Sequence, residues 1–202
     1  MTRADTTPAE WRRRALAAPH GIVEGDLRSA DAGLLALDAG ELDVARAAAA
    51  ACRGVVWSQP DDVLGVQAGP GLVVAAHAGP QAFSVLGVAV GFLARCFEAW
   101  GDDEDLDAAA ELHDLTVALG DAVWVGRESW WVGWGAAVLY GVTGDEAFLA
   151  TAERVADAMC ETQSPGGWWG SAAMTEEAAS VLLEMADAVE SRAALADAEA
   201  GE

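Results

Sequence analysis

The sequence predicts an all-α protein made of stacked helical hairpins, and three observations predict it. Alternating Val/Ile/Thr runs long enough for a strand are almost absent. Segments of helical length are divided instead by short Gly, Pro and Asp punctuation. One Gly-acidic turn also recurs, as Gly40-Glu41, Gly101-Asp102 and Gly144-Asp145, each with a helical segment on either side. A hairpin of this kind leaves an apolar face that only a neighbour can cover, so repeated hairpins stack.

The first helix is expected at 8–18, where Pro8 suits a first turn and Pro19 stops its continuation. Helices at 29–37 and 41–57 pair across Gly40, 81–100 and 104–123 across Gly101, and 130–142 and 145–162 across Gly144. The segment 175–194 is then left as half a unit. Asp145 is placed to cap its helix, and Thr175-Glu176-Glu177 sets carboxylates in a first turn, where the helix dipole favours them. The register repeats as well: Gln163 follows Gly144 by 19 residues, and Gln59 follows Gly40 by 19.

The first two turns stand 61 residues apart and the next two 43, which locates an insertion at 63–80. It is rich in Gly and Pro and long for a connector, and ordered loops of that length often carry function; a plain surface excursion explains it equally well. The whole fits one domain over 1–202, with an N-terminal helix in 1–20 and an acidic tail at 195–202.

Composition narrows the function. Net charge is −22, with 33 acidic residues against 11 basic ones, all of them Arg. Phosphate backbones and anionic membranes are repelled by such a chain, so neither nucleic acid nor membrane is expected as a partner. Disorder is excluded by 53% hydrophobic residues, nine Trp and a mean hydropathy of +0.20. Cys52, Cys96 and Cys160 form no CxxC spacing and an odd count, so neither a disulfide framework nor a zinc site is indicated.

The polar N-terminus lacks a signal-peptide core, and the longest apolar stretch, 83–94, reads as a buried helix. A cytoplasmic protein is expected. Excess Ala, Gly, Arg and Asp without Lys is what a GC-rich genome writes; the acidic excess also fits adaptation to high salt, and composition leaves both open.

The segment 154–168 resembles the QW repeat of terpenoid cyclases. Gln163, Gly166 and Trp168 stand at the intervals of its Gln and Gly-x-Trp, Arg154 takes the basic place, and Ala158-Met159 fall where an aromatic-aliphatic pair is usual. More broadly, the turn Thr143-Gly144-Asp145-Glu146 followed by Phe148, Leu149, Ala152 and Ala156 looks like the hairpins of α/α-toroid proteins. These include terpenoid cyclases, prenyltransferase β subunits and many carbohydrate-active enzymes. The resemblance implies inner and outer helices around a cavity.

Three and a half hairpins are about half of a full ring. The fold expected is therefore a partial toroid, which a second copy closes as a homodimer, or a small open one. The Asp-x-Asp-Asp and Asp-Asp-x-x-Asp strings of the cyclases are absent, as is the His/Cys zinc set of the prenyltransferases, so no metal is expected. Asp102-Asp103-Glu104-Asp105 comes nearest, but on a turn opening a helix its carboxylates are expected to serve dipole and water. P-loop, Gly-x-Gly-x-x-Gly and Gly-x-Ser-x-Gly patterns are missing too, so no organic cofactor is expected.

Aromatic residues mark the candidate site. Trp124, Trp130, Trp131, Trp134, Tyr140, Trp168 and Trp169 fall in one stretch of the chain. Trp130 and Trp134 share a helix face, with Gly133 and Gly135 leaving space beside the rings. Such walls stabilise a developing cation, shape an apolar ligand or stack a sugar; Trp that simply fills an Ala-rich core fits the same pattern. Glu128, just before the Trp helix, is the candidate general acid, and His77, in the insertion, the candidate base. His113, on an acidic helix, reads as structural.

The function expected is a cofactor-independent cyclase or isomerase acting on an apolar polyketide- or terpenoid-like intermediate of secondary metabolism. The first alternative is a non-catalytic helical-repeat module binding a hydrophobic ligand or a partner protein, with a shallow groove in place of a closed cavity. The second is a carbohydrate-active enzyme, which needs two carboxylates about 5–10 Å apart across the cavity.

Overall fold

The computed structural model describes residues 27–57, 81–124 and 126–200, and those residues form helices and turns without a strand among them. In chain order the helices are α1 (Ser29–Asp38), α2 (Leu42–Val56), α3 (Gln81–Trp100), α4 (Asp103–Val117), α5 (Trp130–Thr143), α6 (Glu146–Thr162) and α7 (Ala172–Ala200). Two short 3-10 turns, Asp121–Trp124 and Arg127–Ser129, precede α5. The helix expected at 8–18, the insertion at 63–80, His77 and Gln59 lie outside the described residues.

The three recurring turns share one backbone conformation. Gly40, Gly101 and Gly144 have φ of 75°, 71° and 72°, the left-handed region that a side chain disfavours. At two of them the next residue caps the returning helix: Asp102 accepts the Glu104 N–H at 3.1 Å and Asp145 accepts the Ala147 N–H at 2.9 Å. The pairs α1/α2, α3/α4 and α5/α6 are therefore hairpins, with α7 as the half unit.

Two boundaries differ from expectation. Helix α4 stops at Val117 instead of reaching Val123, because the chain turns through Gly120 with φ 82° and resumes as 3-10. Helix α7 starts at Ala172 rather than Thr175. The Ser171 hydroxyl accepts the Met174 N–H at 3.2 Å, while Thr175 sits inside the first turn and its hydroxyl accepts the Trp169 N–H at 3.0 Å.

Residue pairings show how the hairpins stack. Gly33 of α1 lies under the Phe92 ring of α3, and Asp38 accepts from Arg95 at 3.2 Å. Gly87 of α3 meets the backbone of Trp131 in α5, and Gly91 meets the Trp134 ring. Trp134 bonds Glu184 of α7, Gly141 lies against Ala188, and Gly144 against Arg192. Numbers rise together in every pair, so α1, α3, α5 and α7 run parallel, side by side, while α2, α4 and α6 return against their own hairpin partners.

The α3/α5 contact is the most extensive in the fold, and glycine makes it possible. A Cβ at Gly87 would overlap the Trp131 carbonyl, and one at Gly135 would overlap the Gly87 carbonyl. Space for the Trp134 ring comes from Gly91 across the interface, whereas Gly133 makes room for Val155 and Met185. This corrects the expectation that Gly133 and Gly135 leave space beside the rings of their own helix.

Helix α3 contains an 18-residue stretch, Phe83–Trp100, of mean hydropathy 1.4, long and apolar enough to cross a membrane. Here it is the central helix, 61% buried and packed against α1, α2, α4 and α5.

The returning helices are linked by polar contacts. Asp105 is fully buried, paired with Arg53 of α2, and accepts the Trp100 indole N–H at 2.8 Å. It is not a solvated turn carboxylate: burial pushes its carboxyl above the usual range, against the opposing pull of Arg53 and Trp100. His113 of α4 is buried too, with Nε2 3.0 Å from the Thr151 hydroxyl and its ring edge-on to Phe148 of α6. That matches its structural reading. Cys52 and Cys96 are buried thiols outside any disulfide, and burial pushes the Cys96 thiol far up, while Cys160 is exposed.

Candidate functional site

The face that α1, α3 and α5 turn away from their hairpin partners is a groove with two ends. At one end Leu34 and Leu35 of α1, Val85 and Val88 of α3 and Trp131 of α5, with Asp31 and Ser84 beside them, line a mainly apolar depression of about 440 Å³. At the other, Asp38, Arg95, Glu98, Trp134 and Val138 join Glu184, Asp187 and Arg192 of α7 around a cleft of about 590 Å³. Both sets fall on single helical stripes: 31, 34, 35 and 38 on α1, 85, 88, 95 and 98 on α3, and 131, 134 and 138 on α5. The parallel arrangement of the helices sets the two cavities in line along those stripes, with no described lining residue in common.

Trp131 lines the first cavity and Trp134 the second, and their rings stand edge to face with centroids 5.8 Å apart. Trp134 is 3% exposed, and its indole N–H donates to a Glu184 carboxylate oxygen at 2.8 Å. Asp38, Glu98, Glu184 and Asp187 outnumber Arg95 and Arg192 in the cleft, and Arg95 is committed to Asp38. The polar end is thus anionic, in a protein already at −22.

The aromatic residues expected at one site divide among several. Trp131 and Trp134 belong to the groove. Trp124, Trp130 and Trp169 line a separate pocket between α5, α6 and the start of α7. Tyr140 is buried in the larger core cluster. Trp168 is 54% exposed on the α6–α7 turn and lines none of these three cavities. In that turn Gln163 Nε2 donates to the Gly167 carbonyl at 3.1 Å, and the buried indole is that of Trp169, whose N–H donates to Met159 O at 2.8 Å.

Glu128 sits half-buried in the 3-10 turn before α5 and lines none of the three cavities either. The carboxylates that line the two cavities, Asp31, Asp38, Glu98, Glu184 and Asp187, escaped sequence reasoning because they lie on helix faces like any solvated ones. Their one signal was helical spacing: Leu34 and Asp38 follow Asp31 by three and seven, Glu98 follows Arg95 by three, and Asp187 follows Glu184 by three.

Fold and cavities together define, among the described residues, an all-α protein of helical hairpins with an apolar and an anionic cavity on one face. No protein-family model, curated protein or solved structure matches the chain.

Proposed function

We propose that the chain is a helical-hairpin binding module that takes an elongated amphiphile in this groove. The apolar part lies against Leu34, Val85, Val88 and Trp131, and a cationic head lies among Glu98, Glu184 and Asp187. One observation supports this above the others: Trp131 of the mainly apolar depression and Trp134 of the anionic cleft are in edge-to-face contact on one helix. Aromatic rings next to carboxylates favour a cation that carries its own apolar surface.

A titration with decylamine, decanol and decanoate, each below its aggregation concentration and followed by Trp fluorescence, tests the reading. The amine is expected to bind tightest and the acid weakest. The double variant Glu184→Gln/Asp187→Asn is expected to weaken the amine by about tenfold while leaving the alcohol unchanged. Equal binding of amine and acid overturns the cationic head, and preference for a neutral oligosaccharide moves the protein to the carbohydrate-active reading.

The cyclase or isomerase reading is supported by the same rings. A carbocation forming on a polyene is itself an apolar cation, and Trp131, Trp134 and Glu184 stand where one would be stabilised. It takes second place because the groove is open among the described residues, while a reactive cation needs water excluded. Turnover of a polyene that is lost in Trp131→Ala would promote it.

Parallel inner helices with returning outer ones are also what a toroid is built from, and we take the array as about half of one. The terminal helix α7 exposes Leu183 (65%) and Leu195 (54%). Closure by a second copy predicts a solution mass twice 20.8 kDa; a monomer at micromolar concentration would make it a small open array.

A further inference from the structure

Trp124, Trp130 and Trp169 meet Val155, Met159 and Met174 around a pocket of about 200 Å³, on the α6 side of α5 and apart from the groove. Its volume exceeds the ~150 Å³ apolar cavity that accepts benzene and falls short of the ~300 Å³ at which drug-sized sites begin. Three of the polar groups on its wall are already engaged. The Trp169 indole N–H and the Thr162 hydroxyl both donate to Met159 O at 2.8 Å, and Arg127 at the rim is held by Glu177. Arg154 covers Trp124 from 4.2 Å, so that ring already has its cation.

A wall of indoles and thioethers recognises a ligand by shape, ring contact and sulfur contact. The charge of −22 disfavours an anion there, and no carboxylate is among the described residues of this wall. We propose that this pocket is a second, independent binding site for a small neutral aromatic molecule of one or two rings. Met159 and Met174 supply polarizable walls that adapt to the ring, and Ala158 is a lining position from which a larger side chain would enter the ligand's place.

The test uses the full chain with ¹³C-methyl-labelled methionine and indole as the probe. Saturable shifts are expected at the Met159 and Met174 methyls, with a dissociation constant of about 1 mM or tighter. Ala158 is only half-buried, so Ala158→Leu and Ala158→Phe should both melt cooperatively and bind indole about tenfold more weakly or worse. Absence of saturable shifts up to the solubility of indole overturns the proposal. So does unchanged affinity in both filled variants.

Discussion

The Trp134 indole N–H and the Glu184 carboxylate, 2.8 Å apart, tie the middle of α5 to α7 across the polar end of the groove. The ring is buried and the carboxylate exposed, so the bond holds a solvent-facing acid at a fixed place above an apolar floor. Trp134→Phe keeps most of the bulk and removes the donor; Glu184→Leu removes the acceptor. A double-mutant cycle read by urea unfolding should give a coupling of about 1 kcal/mol, toward the low end for a charged acceptor because Glu184 faces water. Zero coupling would remove Glu184 from its assigned position.

Glycine should be worth opposite things at two helical positions. At Gly91 an added methyl enters the Trp134 ring, so Gly91→Ala is expected to cost about 1–3 kcal/mol despite better helix propensity. At Gly54 of α2 it meets nothing within 4 Å, so Gly54→Ala should gain about 1 kcal/mol. Thermal or urea unfolding of the two variants decides it; stabilisation at both sites would mean that α3 and α5 are not in contact at Gly91.

Asp105 anchors the start of α4 to α2. Asp105→Asn keeps the shape, still offers an acceptor to Trp100, and strips Arg53 of its buried partner. Arg53 retains Asp102 at 3.6 Å and Glu104 at 3.8 Å, both more exposed, so the loss should be about 2 kcal/mol rather than the 3–5 of an abandoned charge. A change below ~0.5 kcal/mol by denaturant titration would count against the buried pair.

His113 should make stability depend on pH. Burial holds its pKa below the ordinary 6.5, with Asp114 and Asp145 pulling the other way. The folded state therefore prefers the neutral ring. The stability this lends is complete above pH 6.5 and is lost as pH falls from there to the depressed folded value. His113→Gln is expected to flatten that slope between pH 7 and 5; an unchanged slope would assign it to other groups.

Local chemistry was readable in the residues, and assembly was not. Gly40, Gly101 and Gly144 announce their turns because only glycine sits comfortably at positive φ, and Asp102 and Asp145 announce caps two residues before the N–H groups they take. Trp168 and Trp169 are indistinguishable in sequence, yet a one-residue offset in an extended turn sends one into the core and the other into water. Asp105 looks like its acidic neighbours until α2 brings Arg53 over it. The groove is readable only once four helices are known to be parallel, since each contributes four to six residues that mean little alone.

The seam between α3 and α5 has one more consequence. Gly87, Gly91 and Gly135 set that register by backbone and ring contact, so it does not depend on what the opposite faces of the two helices carry. Trp134 and Val88 serve both furrow and scaffold, but most of the furrow is written on other residues. Val85, Trp131 and Val138, only partly buried, are the positions whose exchange would suit another guest while the glycine seam beneath them stays in place.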